Sequence, residues 1–247
     1  MENRSMRNLQ FRLFKWKDLV VKADGVFLIL FGLLILSLRF RIFPFFYSNL
    51  GIASYWGMAL IAAQGMALSV IAHEMVHVAV ARQLGVRPHG LFLNIFAVGT
   101  SVEFTKANRC SATKLYLSGI AFSAALAATF VGLAFLSEVN VRNEFIVGIL
   151  FHLGAFNITL AAFQLLPILP LDGGHFLINL FSPNSRSRRV MVKVIYGLGV
   201  AVGLVLVTVG GAQVYEARPV LGAWLIVIGV MLLKANFDAV LSAPFVK

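Results

Sequence analysis

Charge is scarce in this chain, and negative charge scarcest. Of 247 residues only 13% are charged, and ten are acidic. A single cysteine, Cys110, excludes an internal disulfide framework and any cysteine-rich zinc site. No role is assigned to it. There is no low-complexity tract and no long internal repeat. No stretch between the apolar runs exceeds about thirty residues, too few for a separate regulatory module.

In place of charge the chain has apolar residues. It is 60% hydrophobic, with a mean hydropathy of +0.88. A soluble domain of this length does not need so many, and exposing them would cause aggregation. The composition implies a polytopic membrane protein in contact with the lipid bilayer. Six apolar runs cover residues 24–42, 55–81, 112–136, 145–167, 190–211 and 219–236. The first follows a basic leader, as a signal peptide would. It runs into Arg39 and Arg41 without a small-residue cleavage site, so an uncleaved anchor is expected.

The net charge of +11 needs no nucleic acid to explain it. With the N-terminus in the cytoplasm, 17 of the 21 Lys and Arg residues fall on the cytoplasmic side. Only Arg39, Arg41, Arg142 and Arg218 fall outside. The positive-inside rule then predicts both termini in the cytoplasm. The first 22 residues mix Phe11, Phe14 and Trp16 with Arg12, Lys15 and Lys17, a pattern that suits a segment lying on anionic lipid.

Three polar side chains interrupt the second run, in "SVIAHEMVHVAVARQLG". His73 and His77 are four apart and share one helix face. Glu74 is next to the first of them. This is H-E-x-x-H, in which two imidazoles bind one metal ion and the glutamate reaches a water on it. A lone intramembrane histidine more often bonds a neighbouring helix. Three converging polar groups, each costly in lipid, favour metal. Arg82 and Arg87 mark the interface, which puts His77 about 7–8 Å and His73 about 13–14 Å below it. Water must reach them through a protein cavity.

Zinc held by two histidines takes a third protein ligand and keeps an open position for water. On depth alone Asp172 is the best candidate, at the end of "FNITLAAFQLLPILPLDGGH". There Pro167 and Pro170 break the helix ladder, which should leave the carbonyls of Phe163 and Leu166 without helical donors. Gly173 and Gly174 permit a sharp turn that would aim the carboxylate inward. His175, His152 and Glu103 remain as alternatives. The Gly199 and Gly203 pair is expected to serve internal helix packing.

These two motifs, in this order, resemble those of the site-2 protease family of intramembrane zinc metalloproteases. The resemblance covers residues 55 to 180, and "PILPLDGG" is similar to the family's proline-rich L-D-G signature. It implies an all-α polytopic membrane protein of about six transmembrane helices. Within it would lie a three-helix metalloprotease core and a short membrane-associated loop or hairpin, matched here by residues 90–104. The implied organisation has three parts. Residues 1–54 form a basic segment and first helix, 55–180 the core, and 181–247 two further helices. His73, His77 and Asp172 match the ligands of one Zn2+ per chain, and Glu74 the catalytic glutamate. Asn157 matches a common asparagine and is expected, with Gln164, to hold substrate backbone. Gln164 departs from the family's asparagine, and Ser123 stands where asparagine is common.

The implied activity is peptide-bond hydrolysis in membrane-embedded proteins or leftover signal peptides, in a bacterial cytoplasmic membrane. A catalytically inactive zinc-binding scaffold or a metal transporter is the competing reading. Transport would need polar residues along a through-path, and the outer halves of runs three, five and six have almost none.

Overall fold

The computed structural model describes residues 10–16, 19–48, 50–85, 91–93, 109–182 and 185–242. Among them six helices are long and apolar enough to cross a membrane. The first span is built from α1 (Gly25–Ser37), a widened π turn (Leu38–Ile42) and α2 (Phe43–Phe46). Pro44 has no N–H to donate to the carbonyl one turn earlier, and the ladder widens just ahead of it. The span therefore reaches Phe46, beyond the expected end at 42. Next come α3 (Ile52–Gln83), α4 (Arg109–Asn140) and α5 (Glu144–Gln164). A short α6 (Asp172–Asn179) precedes the last two spans, α7 (Arg186–Tyr215) and α8 (Pro219–Ser242).

The described chain forms two compact units. The first comprises Met1–Thr105 and Ser118–Ala162. Its centre is α3, whose Met58, Ala59, Ala62 and Ala63 have no solvent exposure. Small side chains along α3 let α5 approach, so that Ile149 and Leu153 join Leu38, Phe43 and Met66 in one cluster. Gly65 lies where a Cβ would meet the end of Leu153 at 2.6 Å. At 32 residues α3 is about 48 Å long, more than the roughly 30 Å hydrocarbon core, so its ends or its tilt must absorb the excess.

The same unit carries a small sheet. Strands β1 (Gln10–Trp16) and β2 (Leu19–Asp24) pair antiparallel, with an irregularity between Arg12 and Phe14. Strand β3 (Leu91–Leu93) adds to β2 in parallel, Val21 opposite Leu91 and Ala23 opposite Leu93. The segment expected to lie on lipid is thus partly a hairpin. The expected loop or hairpin at 90–104 begins with a strand, and residues 94–108 lie outside those described.

The second unit comprises Lys106–Leu117 and Phe163–Lys247. Here α7 and α8 pack closely along glycines. A Cβ on Gly199 would strike the Asn236 amide, one on Gly203 the Leu233 side chain, and one on Gly210 the Gly222 carbonyl at 2.8 Å. The Gly199 and Gly203 pair does serve internal packing. Ile168 and Leu171 bury themselves against Leu232, which ties the proline-rich turn to α8.

Two of the three nearest contacts at Gly210, the Gly222 carbonyl and the Ile226 nitrogen, are to backbone and cannot yield without parting the helices. Gly210→Ala should lower stability by about 1–3 kcal/mol. Gly197→Ala meets nothing within 4 Å and should be neutral or mildly stabilising, since alanine is the better helix former. Thermal unfolding of the two variants in detergent checks the contrast.

Candidate metal centre

Helix α3 carries the histidine pair one turn apart, both buried, with 1% and 4% exposure for His73 and His77. Their rings lie 4.9 Å apart at 73°, and the two Nε2 atoms are 3.2 Å from each other. A zinc ion sits about 2.0–2.1 Å from imidazole nitrogen, so one ion could touch both atoms at a roughly tetrahedral angle. The pair fits a metal.

A second helix holds this arrangement. Ser123 on α4 is fully buried, and its Oγ lies 2.9 Å from Nδ1 of His73. With the hydroxyl accepting from Nδ1–H, the ring is fixed in the tautomer that leaves Nε2 as a lone-pair donor. Gly119, one turn before Ser123, faces the same rings. A Cβ there would overlap Nε2 of His77 and come within 2.8 Å of Cε1 of His73. The spacing of Gly119 and Ser123 was visible in the sequence, but nothing there said that the imidazoles fill the gap. Glu74 is buried beside the pair at 6% exposure.

Asn157 on α5 is wholly buried. Its amide donates to Ser69 Oγ at 3.0 Å and to the Leu153 carbonyl at 2.8 Å, while Oδ1 has no hydrogen-bond partner. Ser69 lies one turn before His73. His152, an alternative ligand by sequence, instead packs against Phe43, Phe46 and Tyr47, with ring centroids 4.7 to 6.2 Å away. Its Nδ1–H donates to the Gly148 carbonyl. Glu103 lies outside the described residues.

In the second unit Asp172 opens α6 and is half-buried. Its N–H donates to Oε1 of Gln164 at 3.3 Å, so Gln164 caps the strand of chain that presents the carboxylate. His175 stacks on Tyr116 at 5.3 Å and 10°. Burial lowers the pKa of its imidazole, and Asp172 pulls it the other way.

Two expectations about this turn need correction. The Phe163 and Leu166 carbonyls are not left open. Phe163 accepts from the Leu166 N–H at 3.1 Å and Leu166 from the Ile168 N–H at 2.8 Å, because tight turns replace the ladder that the prolines break. Gly173 and Gly174 do not make a sharp turn either, since both lie in α6. They are needed because a Cβ on either would strike the backbone carbonyl of Leu165 or Ile168.

Helices and histidine pair define a class, integral membrane proteins with a candidate metal centre sunk among their helices. The chain is similar to proteins of the site-2 protease family, Peptidase family M50. Residues 139–207 match the model of that peptidase family. The chain is 34% identical over 182 residues to "Putative zinc metalloprotease Rip3" of Mycobacterium tuberculosis, covering 71% of this chain and 44% of that protein. It is 30% identical to "Putative zinc metalloprotease sll0528" of Synechocystis over 182 residues, 72% and 46% of the two chains. It thus spans less than half the length of these curated relatives. Its fold is similar to that of a site-2 protease from Methanocaldococcus jannaschii. The TM-score is 0.61 at 18% identity, covering 91% of this chain and 95% of the other.

The tautomer lock yields a test. Ser123→Ala should weaken zinc binding about 10- to 100-fold, the usual cost of losing such a supporting hydrogen bond. Competition against a chromogenic chelator measures it directly.

Proposed function

We propose that the chain is an intramembrane zinc metalloprotease that hydrolyses peptide bonds of membrane-embedded proteins. The observation that carries this reading is the buried His73 and His77 pair, with Nε2 atoms 3.2 Å apart and His73 braced by Ser123. Asp172 is the third ligand in this reading, supported by its place after the proline-rich turn and by the family's L-D-G signature. One zinc per chain would supply Lewis acidity for a water and for the scissile carbonyl.

The chain's own residues do the rest. Glu74 takes a proton from the attacking water and passes it to the departing amine. Its burial suits a group that must act away from bulk solvent. Asn157 Oδ1, a buried acceptor without a partner, can take an N–H from an unwound substrate segment. Gln164, already accepting from the Asp172 N–H, steadies the carboxylate and retains its amide donors for substrate. The core of this activity is assigned to residues 55–180, in a membrane with both termini in the cytoplasm.

Two variants separate this from the competing readings. Glu74→Gln should keep zinc and lose cleavage of a reconstituted membrane substrate by about 100-fold or more. Cleavage at the parent rate would leave a scaffold or a transporter. Asp172→Ala should lose tight zinc binding, read by metal analysis of the purified protein. Full zinc content would move the third ligand elsewhere.

A further inference from the structure

Near the far end of α3 from the histidines sits a buried cation that the proposed chemistry does not use. Arg39, in the π turn, is only 9% exposed. Its guanidinium carbon lies 5.0 Å from the Phe40 ring centroid, 5.4 Å from that of Tyr55 and 5.6 Å from that of Trp56. Tyr55 is about 27 Å along α3 from His73, so this is a separate place in the molecule. Three aromatic faces attract the charge, but ring faces leave its hydrogen-bond donors unanswered. The Nε is buried with no acceptor, and no described carboxylate pairs with the side chain. An intramembrane guanidinium without a counter-charge is costly, and no described residue supplies the missing acceptor.

The surroundings say what kind of acceptor. Phe40 and Trp56, two of its walls, are 58% and 38% exposed, and Phe45 and Phe46 further along the same span are 80% and 59% exposed, apolar surface suited to acyl chains and the membrane interface. Arg41 stands exposed two residues on and adds a second cation. A planar guanidinium fork matches a phosphodiester. We propose that Arg39, walled by Phe40, Tyr55 and Trp56, binds the phosphate of an anionic phospholipid at the end of the helices opposite the histidines.

The test titrates the full chain, purified in non-ionic detergent, with short-chain phosphatidylglycerol and follows the thermal unfolding midpoint. A saturable rise is expected, larger than with phosphatidylcholine and absent with inorganic phosphate alone. Equal responses to the two lipids, or to phosphate alone, would overturn the assignment. Arg39→Gln should need about tenfold more phosphatidylglycerol for half the effect, in keeping with the loss of charge-assisted hydrogen bonds. Arg142→Gln removes one charge from an exposed bend and should respond like the parent. A matching loss there would show diffuse charge attraction and sink the proposal, as would an unchanged Arg39→Gln. Should that variant not fold, Arg39→Lys keeps the charge without the fork. It should bind several-fold more weakly, and an unchanged midpoint concentration would equally refute the site.

Discussion

Lipid cannot solvate an imidazole, and much of this structure answers that constraint. His73 and His77 are buried in α3, and neighbouring helices supply polar contacts around them. Ser123 of α4 takes the Nδ1 edge of His73, whose Nε2 lies 3.2 Å from that of His77. Gly119 withdraws its side chain so that the rings fit. One turn before His73, Ser69 receives the amide of Asn157 from α5. Three helices are thus joined through polar contacts where hydrocarbon offers no other partner.

The small residues serve the same end by a different route. Helices in lipid gain little from hiding apolar surface, so they hold together by close packing. Ala59, Ala62, Ala63 and Gly65 let α5 settle on α3, and paired glycines do the same for α7 and α8. At the proline-rich turn the glycines allow α6 to lie against the backbone carbonyls of residues 165 and 168. Rigidity of this kind matters for a metal centre, because ligand positions tolerate little drift.

Arg39 departs from that economy. Every histidine described here has a partner within the chain, whereas Arg39 has only ring faces among the described residues. Bonds within the chain can complete a neutral polar group, but a full positive charge needs a counter-charge, and acidic residues are scarce. The proposed phospholipid phosphate would supply it.

Much was legible before any coordinates. Six apolar runs, the H-E-x-x-H spacing and the broken helix before Asp172 depend on hydropathy and periodicity, which are local properties of the chain. The same holds for the resemblance to site-2 proteases, carried by short motifs. What the sequence could not contain was which distant groups meet. Ser123 looked like a departure from a pattern and proved to be the brace of His73. Gly173 and Gly174 looked like turn residues, yet they are helical and selected by a neighbouring backbone. Arg39 was only one of four cations falling outside and turned out to be enclosed by the rings of Phe40, Tyr55 and Trp56. Periodicity assigns a residue to a face of its own helix, but only the packing of helices decides what that face touches.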